Sequence, residues 1–445
     1  MHQPPWIWRL VIVLLILELG KLKQTIKWLL KGVKPSRATK PRVMKPKSPM
    51  DYPECQKSKT IETIISKPMP VPWSQKKGHG GRKKTISTQN YFCSNPECEY
   101  YLIEDEQIHA LVAYGHHGKY EEIRDLKCQA CGKKFTIRKH TVLYRLQTHS
   151  KIIGCSLSLL ALGMDVSALE EALEIRESTL RTWLSRSGEH GHKLHERFMM
   201  GLKLFHLQLD ELYGYVKQAG HEIWVWTVVD AKTKLMPVLQ IGPRTQAMAY
   251  GVMHELKSRL KAGCVPVFSS DGLKHYFYAL TAHFGEWIDM EGQGKQVWMI
   301  LESFFYAQVV KCQRRFRLVS VEHKVIWGMP SEYAQRLKTL GLSGRINTSF
   351  VERANLTIRR YVSKLMRRTW GVVQYPTELM EHLSWWLAYY HFARYHESLR
   401  VKLDQPMARN GKQQPKQYRR RTPTMVAGIT TKRWSVLELI SYPLP

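Results

Sequence analysis

At 445 residues the chain is longer than one ordinary core, which predicts about two to four folded units. Its 68 Lys and Arg residues against 37 Asp and Glu residues leave a formal charge of +31, which favours a polyanionic partner such as nucleic acid. A hydrophobic content of 44% with 14 Trp residues excludes a disordered basic tail. Eight cysteines are too few for a disulfide scaffold, so we expect a cytoplasmic protein.

The N-terminal segment is hydrophobic, and a basic stretch follows it. The run WIWRLVIVLLILEL at residues 6–19 is shorter than a membrane span and is interrupted by Arg9 and Glu18. It predicts a buried or amphipathic helix within residues 1–34 and no membrane partner; a signal peptide and a falsely early start codon remain alternatives. Residues 35–90 are rich in Lys, Pro, Ser and Thr without sustained hydrophobic periodicity, and they predict a basic flexible linker.

Residues 91–148 contain four cysteines in two close pairs, with four residues inside the first pair, two inside the second and 29 between the pairs. This spacing predicts a zinc ribbon whose four thiolates surround one Zn²⁺ ion: Cys93, Cys98, Cys128 and Cys131. Four ordinary buried cysteines are the alternative. His116 and His117 lie between the pairs, and we expect them in an exposed hairpin loop rather than as zinc ligands.

Residues 149–200 predict two or three short helices. The segment SALEEALEI followed by RESTLRTWLSRSG predicts a helix, a short turn and a second helix, with Ser178 and Thr179 as possible capping residues. The second helix carries Arg181 and Arg186 on its polar side, so we predict a helix-turn-helix module in which these two residues contact DNA. A purely structural helical hairpin is the alternative.

Residues 201–370 alternate apolar stretches with helical patterns. Three successive strands, a helix at residues 245–261, a fourth strand, another helix and a long final helix from about residue 348 predict an α/β sheet with helices on its faces. Residues 371–445 predict a helical and basic extension. Its aromatic residues recur at four-residue spacing, which favours core packing over base stacking: Trp385 with Tyr389, and Trp386 with Tyr390.

Three acids in the α/β block are the candidate site residues. Asp210 ends the apolar stretch HLQLD and Asp271 ends VPVFSSD, so we expect both at strand ends, where an open α/β sheet places its site. Each could instead be a helix-capping Asp. Glu352 begins a basic helical pattern in which Asn355 and Arg359 share its face; a solvated basic helix is the alternative.

Three converging carboxylates would supply oxygen ligands for Mg²⁺ or Mn²⁺, and two such ions about 3.5–4 Å apart suit phosphodiester cleavage. Asn355 and Arg359 would then lie beside the metal ligands as donors to DNA phosphates. The rival acids are Glu211, Asp230 and Glu322. Asp230 precedes the turn sequence AKTK, where a hairpin carboxylate is the simpler interpretation.

The segments LQLDELYGYV, FSSDGLKHYF and SFVERANLTIRRYVSKLMRRT, in this order, resemble the catalytic core of bacterial insertion-sequence transposases of the insertion sequence one group. The resemblance covers roughly residues 91–370 and implies an α/β RNase H-like catalytic core preceded by a zinc ribbon and a helix-turn-helix module. It implies metal ligation by Asp210, Asp271 and Glu352. The chain departs from the group in the four-residue spacing of its first cysteine pair and in residues 1–90.

The resemblance implies a DNA transposase that binds element ends and catalyses metal-dependent strand cleavage and strand transfer. The implied cofactors are Mg²⁺ or Mn²⁺ in the catalytic site and Zn²⁺ in the ribbon. The implied partners are double-stranded DNA, at element ends and target, and further copies of the chain in a homo-oligomer on DNA. A transposase-derived zinc-ribbon DNA-binding regulator without catalysis is the alternative, and a structure-selective nuclease of the same fold is another.

Overall fold

The structure, a computed structural model, describes residues 69–76, 86–217, 221–289, 296–315, 317–367, 371–409 and 412–445. The predicted helix within residues 1–34 and most of the predicted linker lie outside these ranges. Residues 69–445 form one compact unit. Among the helices of the described ranges, none combines the length and the apolar character that crossing a membrane requires.

A small antiparallel sheet lies at the start of this unit. Its three strands are β1 (Leu111–His117), β2 (Ile123–Cys128) and β3 (Lys134–Thr136). A four-residue helix, α1 (Trp73–Lys76), packs beside the sheet, and the Trp73 ring meets the Tyr100 ring edge-on at 5.9 Å between centroids. The apolar core of this region is small and includes three of the four predicted zinc ligands: Cys93, Cys98 and Cys128.

Three helices follow the small sheet: α2 (Ser150–Ala161), α3 (Val166–Leu173) and α4 (Glu177–Phe198). The left-handed conformation of Glu174 ends α3, and the chain then enters α4. The prediction that Ser178 and Thr179 cap the second helix is wrong, since α4 begins at Glu177 with Arg176 at its N-cap. Both hydroxyl residues lie in the first turn. The negative charge of Glu177 in the same turn interacts favourably with the positive end of the helix dipole.

The central block contains a six-stranded mixed sheet. In chain order its elements are β4 (His206–Tyr215), β5 (Glu222–Asp230), β6 (Val238–Gly242), α5 (Gln246–Arg259), β7 (Val267–Asp271), α6 (Lys274–His283), β8 (Gly285–Asp289), β9 (Gln296–Ile300), β10 (Phe305–Arg314), β11 (Arg317–Trp327), α7 (Pro330–Thr339) and α8 (Ser349–Tyr361). The strand order is β11-β10-β7-β4-β5-β6. Strand β7 runs parallel to both β4 and β10, whereas β4–β5, β5–β6 and β10–β11 are antiparallel.

The predicted α/β sheet with three strands, a crossover helix and a fourth strand is confirmed for β4 to β7. The sequence analysis did not identify the separate hairpin of β8 and β9, or strands β10 and β11 of the main sheet. Strand β11 is exposed along most of its length, so it lacks the apolar alternation that marks a half-buried strand. The long helix predicted from about residue 348 corresponds to α8, which is shorter than predicted and ends at Tyr361.

The C-terminal elements are α9 (Pro376–Ala388), β12 (Val401–Arg409), β13 (Lys412–Arg419), α10 (Pro423–Val426) and α11 (Val436–Ser441). The predicted packing of the aromatic residues is confirmed, because Trp385 and Trp386 are both fully buried. The Trp386 ring stacks on Tyr390 with 5.2 Å between centroids. Leu439 and Ile440 share one core with α2, α4 and the sheet, so the end of the chain is part of the fold rather than an appendage.

Two apolar cores lie on opposite faces of the sheet. Strand residues alternate between them: Leu209 and Val228 belong to the larger core with α5 and α6, whereas Leu212 and Val225 belong to the core under α8 and α9. This alternation decides which face each acid of β4 approaches.

Helices α4 and α9 pack at very short range through two glycines. A methyl group at Gly188 would lie 2.5 Å from the Glu381 carbonyl oxygen, and one at Gly191 would lie 2.6 Å from that of Ser384. The obstructing atoms are helix backbone, which cannot move aside as a flexible side chain can. The long helix of the predicted DNA-binding module is therefore held against the C-terminal part of the chain.

We expect Gly188→Ala to destabilise the protein by about 1–3 kcal/mol, although Ala has the higher helix propensity, because the methyl group would force α4 and α9 apart. Gly251→Ala in α5 is the matched control, since nothing lies within 4 Å of its added methyl group. That variant should be stabilised by up to about 1 kcal/mol. Urea unfolding of both variants tests this; equal effects at the two positions would contradict the packing argument.

Candidate functional site

The four predicted zinc ligands meet in the small N-terminal sheet. Their sulfur atoms all lie within 4.8 Å of one another. Sγ of Cys93 is 3.6 Å from that of Cys131, and Sγ of Cys98 is 3.8 Å from that of Cys128. Four sulfurs at about 2.3 Å from a tetrahedral zinc ion would be about 3.8 Å apart, so this set fits the ion.

Local backbone structure brings the two cysteine pairs together. Cys93 and Tyr101 form an isolated bridge around the first pair, and Gly132, with φ of 73°, turns the chain sharply after the second. Hydrogen bonding from the Cys93 thiol and from backbone amides lowers the pKa of the Cys128 thiol, and the same bond raises the pKa of the Cys93 thiol. A thiolate is the form that ligates zinc.

The two histidines between the cysteine pairs lie apart from the sulfur cluster. His116 and His117 are exposed, as predicted, but they are the last two residues of β1 and not part of the loop; Nδ1 of His117 lies 3.0 Å from Asp125 Oδ2. They are not members of the four-cysteine group. The sequence prediction of an all-cysteine set is therefore matched by the geometry.

The second candidate site is a cleft beside β4 and β7. Asp210, Asp271 and Glu352 all line this cleft, which encloses about 570 Å³. Asp271 ends β7 as predicted, but the prediction that Asp210 ends its strand is wrong: it is the fifth of ten residues in β4. The apolar run HLQLD stops where β4 passes from the core into the cleft, and the strand continues beyond that point.

A third carboxylate, Glu211, joins Asp210 and Asp271 in a group whose ligand oxygens lie within 4.8 Å of one another. Adjacent residues of a strand point to opposite faces, so Asp210 approaches α8 and Glu211 approaches α6. Asp271 is within reach of both because β7 ends there. The sequence analysis weighed Glu211 only as a rival acid, since strand alternation gives no reason to expect it beside Asp210.

Glu352 lies in the first turn of α8, at the opposite wall of the cleft and outside the 4.8 Å group. Its Oε1 accepts hydrogen bonds from Lys311 Nζ at 2.5 Å and from Thr348 Oγ1 at 2.8 Å. Partial burial raises the pKa of Glu352, but these two hydrogen bonds outweigh burial and hold the pKa below its ordinary value. The carboxylate is therefore kept ionised.

The predicted face of α8 is confirmed by its contacts with β4. Asn355 is buried and its Nδ2 donates to Asp210 Oδ2 at 2.8 Å, while Arg359 Nη2 donates to the Tyr213 carbonyl at 3.1 Å. Asn355 thus orients an acid of the cleft. The predicted DNA contacts of Asn355 and Arg359 remain predictions.

The surroundings of the two β4 acids, Asp210 and Glu211, disfavour the ionised form of their side chains. Burial raises the pKa of Asp210 to about 6, and the charge of Asp271 acts in the same direction. Burial raises the pKa of Glu211 to about 7, again with Asp271 adding to the shift. Crowded carboxylates of this kind are suited to share a divalent cation, which offsets their mutual repulsion.

Positively charged side chains surround the acids. Arg244, Lys274 and Lys311 line the cleft. Arg244 Nε lies 3.1 Å from Glu211 Oε2, and the Glu211 side chain is 1% exposed. The cleft therefore combines oxygen ligands for a cation with donors for an anion, the pair of features that a metal-bound phosphate requires.

The rival acids Asp230 and Glu322 have structural or surface positions. Asp230 is buried and accepts hydrogen bonds from the backbone amides of Phe205, His206 and Thr233, which fixes the end of the β5 hairpin as the turn sequence predicts. Glu322 is exposed on β11 and pairs with Lys324 at 2.6 Å. Neither lines the cleft.

The two arginines predicted to contact DNA differ in their surroundings. Arg181 is half exposed on α4 and pairs with Glu177 one turn earlier. Arg186 Nη2 donates to the Tyr144 carbonyl at 2.7 Å and so supports the loop before α2. Their role in DNA binding remains a prediction.

No family model matches the chain, and no curated protein matches its sequence.

We expect one zinc ion per chain and expect Cys128→Ser to lose most of it after dialysis against a mild chelator, because three thiolates no longer close the tetrahedron. The small sheet should unfold at lower temperature in that variant, since its core is small. Cys155→Ser, an exposed cysteine of α2, is the control and should keep its zinc. Metal analysis decides: zinc absent from the wild type, or equal in both variants, contradicts the assignment.

Proposed function

We propose that this protein is a DNA transposase whose cleft binds two divalent ions and cleaves and joins DNA strands. The observation that carries the proposal is the cleft, in which Asp210, Asp271 and Glu352 lie together with Arg244, Lys274 and Lys311. These acids are the three that the family resemblance names. Asp210 comes from the middle of a strand, Asp271 from a strand end and Glu352 from the start of a helix. That three separate elements bring acids to one cleft supports a functional site rather than three unrelated surface acids.

The side chains of the cleft divide into ligands and supports. Asp210 and Asp271 would hold the ions from the sheet, with Glu352 or Glu211 completing the ligand set. Bound Mg²⁺ or Mn²⁺ supplies an activated nucleophile and charge stabilisation at the leaving oxygen. Asn355 keeps Asp210 oriented through its 2.8 Å hydrogen bond, and Lys274 and Lys311 would neutralise the phosphate that enters.

The fold supports an RNase H-like assignment for the core. Three antiparallel strands are followed by a helix and by a fourth strand that lies parallel to the first, and two of the acids occupy these adjacent parallel strands. The third acid follows on a helix packed on the same sheet. The position of the acids on neighbouring elements, rather than the sheet alone, supports this part of the proposal.

The proposed partners are DNA and further copies of the chain, and the proposed location is the cytoplasm. The zinc ribbon and helices α3 and α4 would bind element ends as double-stranded DNA, and further copies of the chain would assemble there. The net charge of +31 supports a nucleic acid partner. A reducing cytoplasm is included because it keeps the four thiols available for zinc.

Two alternatives keep the DNA partner but change the chemistry. A zinc-ribbon regulator would need no metal at the cleft. The crowding of Asp210, Glu211 and Asp271 argues against it, since their mutual repulsion would then be offset by nearby basic side chains alone. A nuclease of the same fold would cleave without joining strands. Product analysis separates these possibilities.

Asp210→Asn and Asp271→Asn should each lower Mg²⁺-dependent cleavage and strand transfer by more than about 100-fold. Loss of a residue that binds the ion directly costs more than loss of one that only orients a ligand, where losses are about 10- to 100-fold. Binding to end DNA should stay near normal in both. The assay incubates purified protein with duplexes from the ends of its own element and maps nicked and joined products.

Two comparisons make that experiment decisive. Glu322→Gln removes the same charge on exposed β11 and should leave activity unchanged. Glu352→Gln and Glu211→Gln compare the two candidate third ligands, and the proposal expects the greater loss from Glu352→Gln. Silent Asp210 and Asp271 variants would end the proposal, whereas nicks without joints would favour the nuclease.

A further inference from the structure

The C-terminal hairpin, formed by strands β12 and β13, carries a high density of positively charged residues. Residues 400–421 contain eight Lys or Arg residues and one acid, so they carry nearly a quarter of the net charge of +31 in about a twentieth of the chain. Lys402, Arg419 and Arg420 are exposed. Within the described residues Lys402 and Arg419 have no ion-pair partner, and Arg420 Nε lies 3.6 Å from Glu397 Oε1 in an exposed pair. Such a density exceeds what solubility requires.

The described side chains of the hairpin are mostly polar and exposed, and its apolar residues Val401 and Met407 are exposed as well. Its two strands pair only with each other within the described ranges. The side chains of Asp404, Gln405, Pro406 and Gln417 are exposed as well as the basic ones. The aromatic Tyr418 is covered locally by the Arg400 guanidinium, 4.5 Å from the ring centre. A lone two-stranded hairpin is only marginally stable in water, so binding a partner would stabilise it. Because its exposed side chains are basic, a polar, anionic partner suits it best.

The base of the hairpin is fixed to the helix that carries Glu352. Arg421 Nε donates to the Leu399 carbonyl at 2.9 Å, and the His396 amide donates to the Arg421 carbonyl at 3.1 Å. Arg394, just before this base, donates to the Tyr361 hydroxyl at 2.7 Å and lies over the same ring. Tyr361 is the last residue of α8, so the hairpin rises from a support that is continuous with one wall of the cleft.

The dimensions of the hairpin suit the major groove of duplex DNA. The strands have nine and eight residues and pair with two register shifts, so the hairpin is shorter than the roughly 25–30 Å that regular strands would span at about 3.3 Å per residue. Paired strands are about 4.8 Å apart, and the major groove, about 12 Å wide, admits a two-stranded ribbon. Basic side chains on such a ribbon reach the phosphates on either side of the groove.

We propose that the C-terminal hairpin is a second DNA-binding element, which grips the duplex beside the cleft through Lys402, Arg419 and Arg420. This inference rests on the proposed function in taking DNA as the substrate, and it adds a contact surface that the family resemblance does not supply. The hairpin holds the duplex by its phosphates, independently of the zinc ribbon and of α4.

The test is the salt dependence of binding to duplex DNA, measured without divalent metal so that no cleavage occurs. The triple variant Lys402→Gln, Arg419→Gln, Arg420→Gln should reduce the slope of log affinity against log salt by about 2–3, since each phosphate contact contributes about 0.9. Affinity at about 0.15 M salt should fall roughly 100-fold by the same relation. Exposed side chains are altered, so the fold should persist; thermal unfolding checks this.

The matched control removes the same charge at the other edge of the sheet. Lys203→Gln, Lys232→Gln, Lys261→Gln changes three exposed lysines next to the start of β4, the end of β5 and the start of β7, opposite the end of β7 that carries Asp271. This control should lose less than about threefold in affinity.

The outcomes separate the hairpin from the proposed function. If the wild type binds and cleaves DNA but the hairpin variant behaves like the control, the hairpin inference falls and the transposase proposal stands. If the hairpin variant loses DNA affinity but the wild type cleaves nothing with Mg²⁺, the transposase proposal falls and the hairpin inference stands. Hairpin-dependent binding that is tighter to duplex RNA or to anionic vesicles than to DNA overturns the inference.

Discussion

The parallel pairing of β4 with β7 is the contact on which the candidate site depends. Its register sets Leu209 opposite Ser270, which brings Asp210 and Asp271 side by side although 60 residues separate them in the chain. Because β7 ends at Asp271 while β4 continues, the acids border an opening rather than a continuous sheet. A one-residue slip would turn Asp210 to the other face, away from α8.

Electrostatics then decides what this opening can hold. Burial of the β4 acids raises their pKa, whereas Lys311 and Thr348 keep Glu352 ionised. Arg244 and Lys311 balance the acids from the rim. Such an arrangement costs folding free energy unless a cation enters, and functional sites commonly keep strain of this kind.

The N-terminal and C-terminal parts of the described chain are joined to the sheet by packing rather than by linkers. The core under α4 includes Leu439 and Ile440, and the glycine contacts between α4 and α9 leave no room for a side chain. Helix α4 of the proposed DNA-binding module and the sheet that carries the acids therefore belong to one packed core. A duplex held by α4 would have a defined direction relative to the acids.

The cysteine cluster, strands β4 to β7, the buried Trp pair and the shared face of Glu352 and Asn355 could be predicted from the sequence, because local spacing and periodicity encode these features. The sequence did not predict that Glu211 joins the acids, that Asp210 lies inside its strand or that Lys311 contacts Glu352. Those facts depend on where non-adjacent strands end against one another, which one segment's pattern does not encode. Strands β10 and β11 escaped prediction for a related reason: their pairing, not an apolar alternation, holds β11 in the sheet.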